Sequence, residues 1–425
     1  MAHYDAVVCG AGVGGLTLAH SLGMRGHRVL LVDKQRRFHM THKGELLQPS
    51  TLALLEQAGL FGRLAAEALP VDGLACVTED GSELVTLDYR LLPAPYRHGM
   101  VQSYKEMLDS LVDQLGPTVE FRRGASVECL VRDADGRICG VTVSCDGVTT
   151  RESATVVVAC DGHASRLREA AGITVTPHRY DHQLVGFEID DSPPVGREMN
   201  AYLTPRGLRA LFDLPDGRAR LYVQVPAGSM RGVGRAGLPE WAESVLSGMP
   251  AFAEFADPWR RSLATVQVQS ALRFVAPRWV EPGFALLGDA AHCVHPMVGQ
   301  GMNAAIRDAS VLGGALADLS AMAAAEADAA LRAYEATRRP EVEFTSRMSH
   351  NVATLLTSTS RVGRALLPHL LRRNQSNVRL RTLITQNVAG LTAQPLQVRD
   401  WFAATGLFAR PFRRTAAVRF EETQP

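Results

Sequence analysis

Residues 5–15 read Asp5-Ala6-Val7-Val8-Cys9-Gly10-Ala11-Gly12-Val13-Gly14-Gly15. A short apolar run that stops at glycine has the length of a buried parallel strand. Gly10, Gly12 and Gly15 then carry the GxGxxG spacing. The first glycine permits a tight turn, the second lets a pyrophosphate approach the backbone, and the third lets helix and strand pack closely. Ala11, Val13 and Gly14 fill the remaining places of the turn. Residues 17–25 read as a helix closed by Gly26, and residues 28–33 (RVLLVD) as a second strand, which completes a βαβ unit. The helix start offers unpaired N–H groups and partial positive charge to phosphates. Asp33 ends the second strand, where a carboxylate can accept hydrogen bonds from an adenosine ribose, and Lys34 stands beside it. Strand, turn, helix and acid in register mark a nucleotide site, where GxGxxG alone would not.

Further along, residues 52–59 and 105–115 read as helices. Residues 119–149 alternate as strands joined by Asp135-Gly136 and Asp146-Gly147 turns, which suggests an antiparallel meander. The run 155–160 (TVVVAC) is continuously apolar and returns to the buried sheet. Between 176 and 275, short strands alternate with Pro/Gly-rich turns, consistent with a second, mostly antiparallel layer. A second glycine triplet, Gly232, Gly234 and Gly237, has no strand ending in an acid after it and reads as a surface loop.

Residues 284–303, FALLGDAAHCVHPMVGQGMN, repeat the logic of the opening. A buried strand ends at Gly288-Asp289, and Gly299-Gln300-Gly301 opens another helix over 301–319. Asp289 is placed to accept hydrogen bonds from polyol hydroxyls. The Gly-Gln-Gly segment can approach a planar ring and aim a positive helix end at developing negative charge. A third motif, Asp161-Gly162-His163-Ala164-Ser165-Arg166-Leu167-Arg168, follows the TVVVAC strand; Asp161 or Ser165 could equally be a plain helix cap. An Ala-rich helix is expected to end near Arg339-Pro340.

The three motifs together resemble those of the class A flavoprotein monooxygenases, the family of para-hydroxybenzoate hydroxylase. Its GDAAH…P…GQGxN signature is matched by residues 288–292, Pro296, Gly299, Gln300, Gly301, Met302 and Asn303, its DGxxSxxR motif by 161–168, and its Y…RRP ending by Tyr334 and 338–340. The resemblance implies an α/β fold: a Rossmann-like FAD-binding domain with an inserted, mostly antiparallel β substrate domain and C-terminal helices. The boundaries expected are 1–175 and 276–340 for the FAD-binding domain, 176–275 for the substrate domain and 341–425 for the helical region. It implies FAD as cofactor, with Asp289 on the ribityl chain and the Gly-Gln-Gly helix facing the flavin's pyrimidine ring. Asp161 and Arg168 are implied at the FAD pyrophosphate and nicotinamide cofactor. NADH or NADPH as co-substrate and molecular oxygen follow, with a flavin hydroperoxide as the oxygen donor. Where many relatives carry an arginine for the FAD phosphates, residues 41–49 have none, and Lys43 is the available cation. The segment GELLQP (44–49) is the form of squalene-epoxidase-like members, which makes Glu45 and Gln48 candidates near the reacting face; a surface helix start is the plain alternative. Gln102 and Tyr104 compete for the flavin edge, with Gln102 favoured.

The function this points to is hydroxylation or epoxidation of a small, hydrophobic aromatic or polyunsaturated molecule, as in antibiotic biosynthesis. A double-bond reductase of the geranylgeranyl-reductase type and a catalytically inactive flavin-binding protein are the alternatives. Flavin halogenases carry a WxWxIP segment, whereas the tryptophans at 241, 259, 279 and 401 are isolated. Metal binding by His292, Cys293 and His295 lacks a tetrahedral ligand set. A formal net charge of +1 gives no reason to expect nucleic acid. Seven scattered cysteines without a CxxC pair fit a reduced, cytoplasmic compartment. Residues 1–15 lack a signal-peptide pattern, and no uncharged apolar run reaches transmembrane length. Residues 341–425 carry twelve arginines against five acids. That segment is expected to cap the substrate pocket with a solvated face, or to touch an acidic membrane surface or carrier protein. Oligomeric state is not legible.

Overall fold

In the computed structural model, residues 3–400 are described apart from 41, 43, 96, 320, 321, 398 and 399. The opening motif forms the centre of one eight-stranded sheet. Strand His3–Cys9 pairs in parallel with Val29–Asp33 on one side and with Val148–Ala159 on the other. Phe284–Leu286 continues the parallel order beyond Val148–Ala159. These apolar runs are buried on both faces, as parallel strands flanked by helices must be.

Two elements depart from the sequence expectation. Val119–Arg123 does not belong to the meander; it pairs in parallel with Val29–Asp33 at the sheet edge. Val148–Ala159 is one long strand with two partners. Its first half pairs antiparallel with Ile138–Cys145 across a turn in which both Asp146 and Gly147 have positive φ, and its second half joins the parallel sheet. The meander is therefore an extension of the cofactor sheet, and not a separate layer.

The first helix spans Val13–Met24, four residues earlier than expected. Propensity argues against starting at Val13-Gly14-Gly15, but packing decides. A methyl on Gly14 would sit 2.6 Å from a Leu287 methyl and 3.3 Å from the Ala305 side chain. Helix Gly301–Ala317 thus lies close along Val13–Met24, and the two glycine motifs are packed against each other.

The second sheet is also eight-stranded and mostly antiparallel. Its central strands, His178–Ile189, Arg218–Pro226, Gly207–Leu214 and Glu198–Thr204, lie within 176–275. Gly73–Thr78 and Glu83–Asp88 extend it on one side, so the sheet recruits strands from outside that segment. The back face is covered by helices Gly234–Leu246 and Ala256–Arg261, where Phe187, Leu211 and Leu221 meet Trp259 and Phe252. Of the rejected glycine triplet, expected as a loop, exposed Gly232 ends a short 3-10 turn, while exposed Gly234 and half-buried Gly237 lie in the first turns of the helix Gly234–Leu246. The front face looks towards the cofactor sheet.

The expected helix end at Pro340 is overturned, since Ala324–Leu356 runs straight through it. An interior proline forfeits one helical hydrogen bond. Burial of Tyr334, Arg338, Val342, Ser346 and Ser349 on one face holds the helix together across that loss. Arg361–Gln375 and Val378–Val388 follow, and Leu367 and Leu371 pack on Leu84 and Val85 of the second sheet's edge strand.

Gly10 is the tightest point of the fold. Its φ is +116°, and a Cβ there would overlap the Cys160 carbonyl. Gly10→Ala is expected to cost at least about 2–3 kcal/mol through backbone strain and overlap. Urea unfolding of the purified variant measures it; a midpoint equal to the parent's would refute this reading.

Candidate functional site

Between the two sheets runs a cavity of about 1550 Å³. That exceeds the ~300–1,000 Å³ of a pocket built for a single drug-sized ligand. Of the residues expected at the cofactor, Gly10, Ala11, Gly12, Val13, Gly14, Gly15, Asp33, Lys34, Asp161 and Arg168 line one end. Asp289, Pro296, Gly299, Gly301 and Met302 line the same cavity from the other chain segment. Two helices open onto it, Val13–Met24 and Gly301–Ala317. Neither start has a side-chain cap or an acidic residue in its first turn. Uncapped N–H groups and the helix dipoles therefore offer positive potential where an anionic or electron-accepting group would lie. The donor set fits a dinucleotide carrying a ring.

Asp33 braces the turn. One carboxylate oxygen accepts from the Ala11 N–H at 2.7 Å and the other from the Gln35 N–H at 2.7 Å. Each oxygen keeps a second lone pair for a ribose hydroxyl. Arg168 is buried and bridges two motifs. It donates to the Ala290 carbonyl at 2.9 Å and the His163 carbonyl at 3.1 Å, with its guanidinium 5.0 Å over the Phe274 ring. Its Nε has no partner, and neither does Asp161 Oδ1. Ser165 is the true helix cap, accepting from the Arg168 N–H at 2.9 Å, as the plain reading of that motif has it.

The signature loop is clamped from behind. Asp308 accepts from His292 at 2.6 Å, from Arg338 at 2.9 Å and from the Gly288 N–H at 3.1 Å. Burial opposes its charge, but His292 and Arg338 hold its carboxyl below the usual range. His292 is therefore tied to Asp308. Among the described residues no group of three or more His, Cys, Asp or Glu could hold a metal ion.

Four expected residues do not face the cavity. Gln48 is fully buried; its Oε1 accepts from the Tyr89 hydroxyl at 2.6 Å and its Nε2 donates to the Val298 carbonyl at 3.1 Å. Gln300 donates to the Val388 carbonyl at 2.5 Å, and Asn303 donates to the Leu46 and Gly299 carbonyls. Gln102 donates to Glu67 at 3.2 Å. These side chains brace the loops around the cavity and do not line it. Of the two residues expected to compete for the flavin edge, Gln102 and Tyr104, Tyr104 is the one that borders the cavity. It lines the cavity, its hydroxyl engages the Val13 backbone, and it lies 3.5 Å from where a Gly12 Cβ would be. Lys43 lies outside the described residues.

Glu45 reaches the cavity where the cofactor end meets the second sheet. Its Oε1 accepts from Arg220 Nε at 2.6 Å and its Oε2 from the Tyr222 hydroxyl at 3.0 Å. Arg220 continues to Glu188 at 2.8 Å, and Glu188 to Arg218 at 3.0 Å. Burial pushes the Glu45 carboxyl up, against the pull of Arg220, and pushes the Tyr222 hydroxyl well up. Arg220 and Tyr222 could not be found from the sequence, because nothing local links strand Arg218–Pro226 to residue 45.

Beyond Tyr222 the cavity wall is mostly apolar, with Asn200 and Asn374 among its lining residues. Leu208, Ala210 and Phe212 alternate along one strand onto its wall, while Leu211 faces the opposite core. The C-terminal helices close the far side through Leu356, Leu371 and Ile384. Their inner faces therefore cap the pocket, while Arg361, Arg372, Arg373 and Arg379 point outward to solvent.

His295, next to Pro296, is buried against Tyr180 and His182. Its Nδ1 accepts from the Met297 N–H at 3.1 Å, so its Nε2 carries the proton and donates to His182 Nε2 at 2.9 Å. Burial, with His182 and His350 adding to it, lowers His295 to about 3; burial and Arg220 lower His42 to about 4. Both values lie below the ordinary ~6.5, so the unfolded chain binds more protons as pH falls. Stability is full above about pH 6.5 and drops towards pH 4. His295→Gln should flatten that decline by about 1.4 kcal/mol per pH unit. Urea midpoints across this window test it, and an unchanged slope would contradict it.

Comparisons with known proteins bear on the same cavity. The family model "FAD binding domain" matches residues 3–349. The 6-methylpretetramide 4-monooxygenase of Streptomyces rimosus is 30% identical over 381 residues, covering 86% of this chain and 88% of that one. The ubiquinone hydroxylase UbiL of Rhodospirillum rubrum is 29% identical, covering 79% and 78%. A crystal structure of pqsL, described as a probable FAD-dependent monooxygenase from Pseudomonas aeruginosa, superposes with a TM-score of 0.76 at 28% identity, over 86% of this chain and 99% of that one. With its two glycine turns on one cavity and a match along most of its length, the chain belongs to the class A FAD-dependent monooxygenases.

Proposed function

We propose that this enzyme hydroxylates a hydrophobic, electron-rich aromatic molecule, consuming NADH or NADPH and molecular oxygen. The observation that carries the reading is one continuous cavity whose cofactor end meets an apolar end at Glu45 and Tyr222. The names of the relatives support an aromatic substrate, since they describe a 6-methylpretetramide monooxygenase and a ubiquinone hydroxylase.

When bound and reduced, FAD supplies activated oxygen for transfer to an electron-rich carbon. The chain's residues do the rest. The glycine turn at 10–15 and the helix behind it would hold the cofactor's pyrophosphate, Asp289 its polyol and the 299–301 turn its ring. Leu208, Phe212 and the C-terminal helices exclude water from the acceptor carbon. Glu45 and Tyr222 manage the substrate's phenolic proton. A substrate hydroxyl donates to the Tyr222 oxygen as Tyr222 passes its own proton to Glu45 Oε2, 3.0 Å away. The negative charge that results on the substrate oxygen enriches the ring carbon that accepts oxygen. A buried carboxylate whose affinity for protons is raised suits this base. Glu45 is thus assigned as the base, and Gln48 as a brace of the same segment.

Under labelled dioxygen, the purified yellow protein should place one labelled oxygen atom in a hydroxylated product while oxidising NADH or NADPH. Unlabelled product, or saturation of a double bond without oxygen, would refute the reading. Tyr222→Phe should lower kcat for a phenol by about 10²-fold or more and leave flavin content unchanged; full activity would remove the relay.

A further inference from the structure

The capping helix Arg361–Gln375 has two faces of different chemistry. At 3.6 residues per turn, Leu367, Leu371 and Gln375 fall on one side and hold the edge strand of the second sheet. On the opposite side Arg361, Val362, Leu366, His369, Arg372 and Arg373 fall within one arc of roughly 140°, and all six are exposed. Val362 is 70% exposed and Leu366 54%. Among the described residues, Arg361, Arg372 and Arg373 have no hydrogen-bond or ion-pair partner. Two aliphatic side chains and three unpaired cations thus stand together on a face that no described residue covers. An apolar patch left in water beside polar groups marks a contact site.

The charge is local. The whole chain carries a formal +1, yet residues 344–399 hold eight arginines and no aspartate or glutamate. The face also adjoins the apolar chamber beyond Tyr222. Leu355, joined to this helix through residues 357–360, lines the cavity and is still 47% exposed. Cavity wall and protein surface meet at that side chain.

We propose that this face docks on an anionic lipid bilayer, with the chamber opening onto the bilayer at Leu355. Charge selects the occupant. A second copy would set arginine against arginine, and residues 401–425 carry four arginines against two glutamates, so neither neutralises the face. Lipid phosphates do. The side chains point the same way. Hot spots of protein partners favour Trp and Tyr beside Arg, with Leu and Val under-represented. Here the apolar members are Leu and Val, and residues 345–400 contain no Phe, Tyr or Trp. Aliphatic groups between arginines suit the boundary of headgroups and acyl chains. An apolar substrate dissolved in the bilayer then enters the chamber without crossing water. Only that last step rests on the monooxygenase reading.

The test is cosedimentation of the full flavin-loaded chain with vesicles of phosphatidylcholine, alone or mixed with phosphatidylglycerol. Binding should require the anionic lipid and weaken as salt rises. Arg361→Gln, Arg372→Gln and Arg373→Gln combined should weaken it about 100-fold, at about fivefold per arginine. Val362→Ser with Leu366→Ser should weaken it about tenfold. Arg231→Gln, Arg235→Gln and Arg332→Gln remove the same charge from exposed positions on other elements, and should change binding by less than about threefold. Parental flavin content shows that each variant is folded. Equal binding to both vesicles, salt-independent binding, parental binding by either variant of the face, or an equal loss in the second triple variant would overturn the proposal. So would a chain that ignores vesicles but is retained by immobilised acyl carrier protein, an acidic protein; the face would then serve a protein partner. A vesicle-bound chain that oxygenates nothing would count against the hydroxylase reading alone. An active hydroxylase that ignores vesicles would count against this docking face alone.

Discussion

The cofactor half of the molecule depends on the absence of two methyl groups. At Gly10 the chain turns back against the Cys160 carbonyl, and at Gly14 the first helix presses onto Leu287 and Ala305. Those contacts join three segments separated by more than a hundred residues: the opening turn, the end of strand Val148–Ala159 and the signature loop with its helix. A side chain at either position would pry them apart. The cavity exists because the three ends converge while the backbone N–H groups of two helix starts remain uncovered. Asp33 and Asp308 then stiffen the arrangement from outside, each holding a loop by its backbone N–H groups.

The second sheet is registered on the first by charge. Arg220 is 1% exposed and lies between Glu45 from the cofactor side and Glu188 from its own sheet. A buried ion pair of this kind adds little net stability against a well-packed apolar substitute. Removing one partner would strand the others, at a cost of about 3–5 kcal/mol. Its contribution is therefore positional. It fixes Tyr222 against the cofactor end, so the chamber begins at a defined point and the capping helices set where it stops.

Local constraints were legible in the sequence; distant partners were not. The glycine turn, the strand before it, Asp33 and the Asp289 loop follow from spacing, because turn, dipole and strand burial act within a few residues. Gln48, Gln300 and Asn303 sit inside motifs that look like ligand contacts. Their side chains are consumed instead by Tyr89, Val298, Val388 and Leu46, partners that only the folded chain supplies. The same limit hid the pairing of Arg220 with Glu45, 175 residues away. Where one residue type has two strong meanings, tertiary packing chose. Glycines 14 and 15 lie inside a helix, and Pro340 lies within one, because buried contacts outweigh propensity. The run at 155–160 reads correctly as buried sheet, yet its fusion with the meander depends on a partner strand and not on its own composition.

The central claim is that the turn at Gly10–Gly15 and the loop from Asp289 to Gly301 hold one cofactor between them. A crystal structure of the FAD complex tests this most directly. Continuous cofactor density should run from the Gly12 backbone, past Asp289, to the ring beside Gly299–Gly301. FAD bound elsewhere, with protein filling the space between those two turns, would contradict the account.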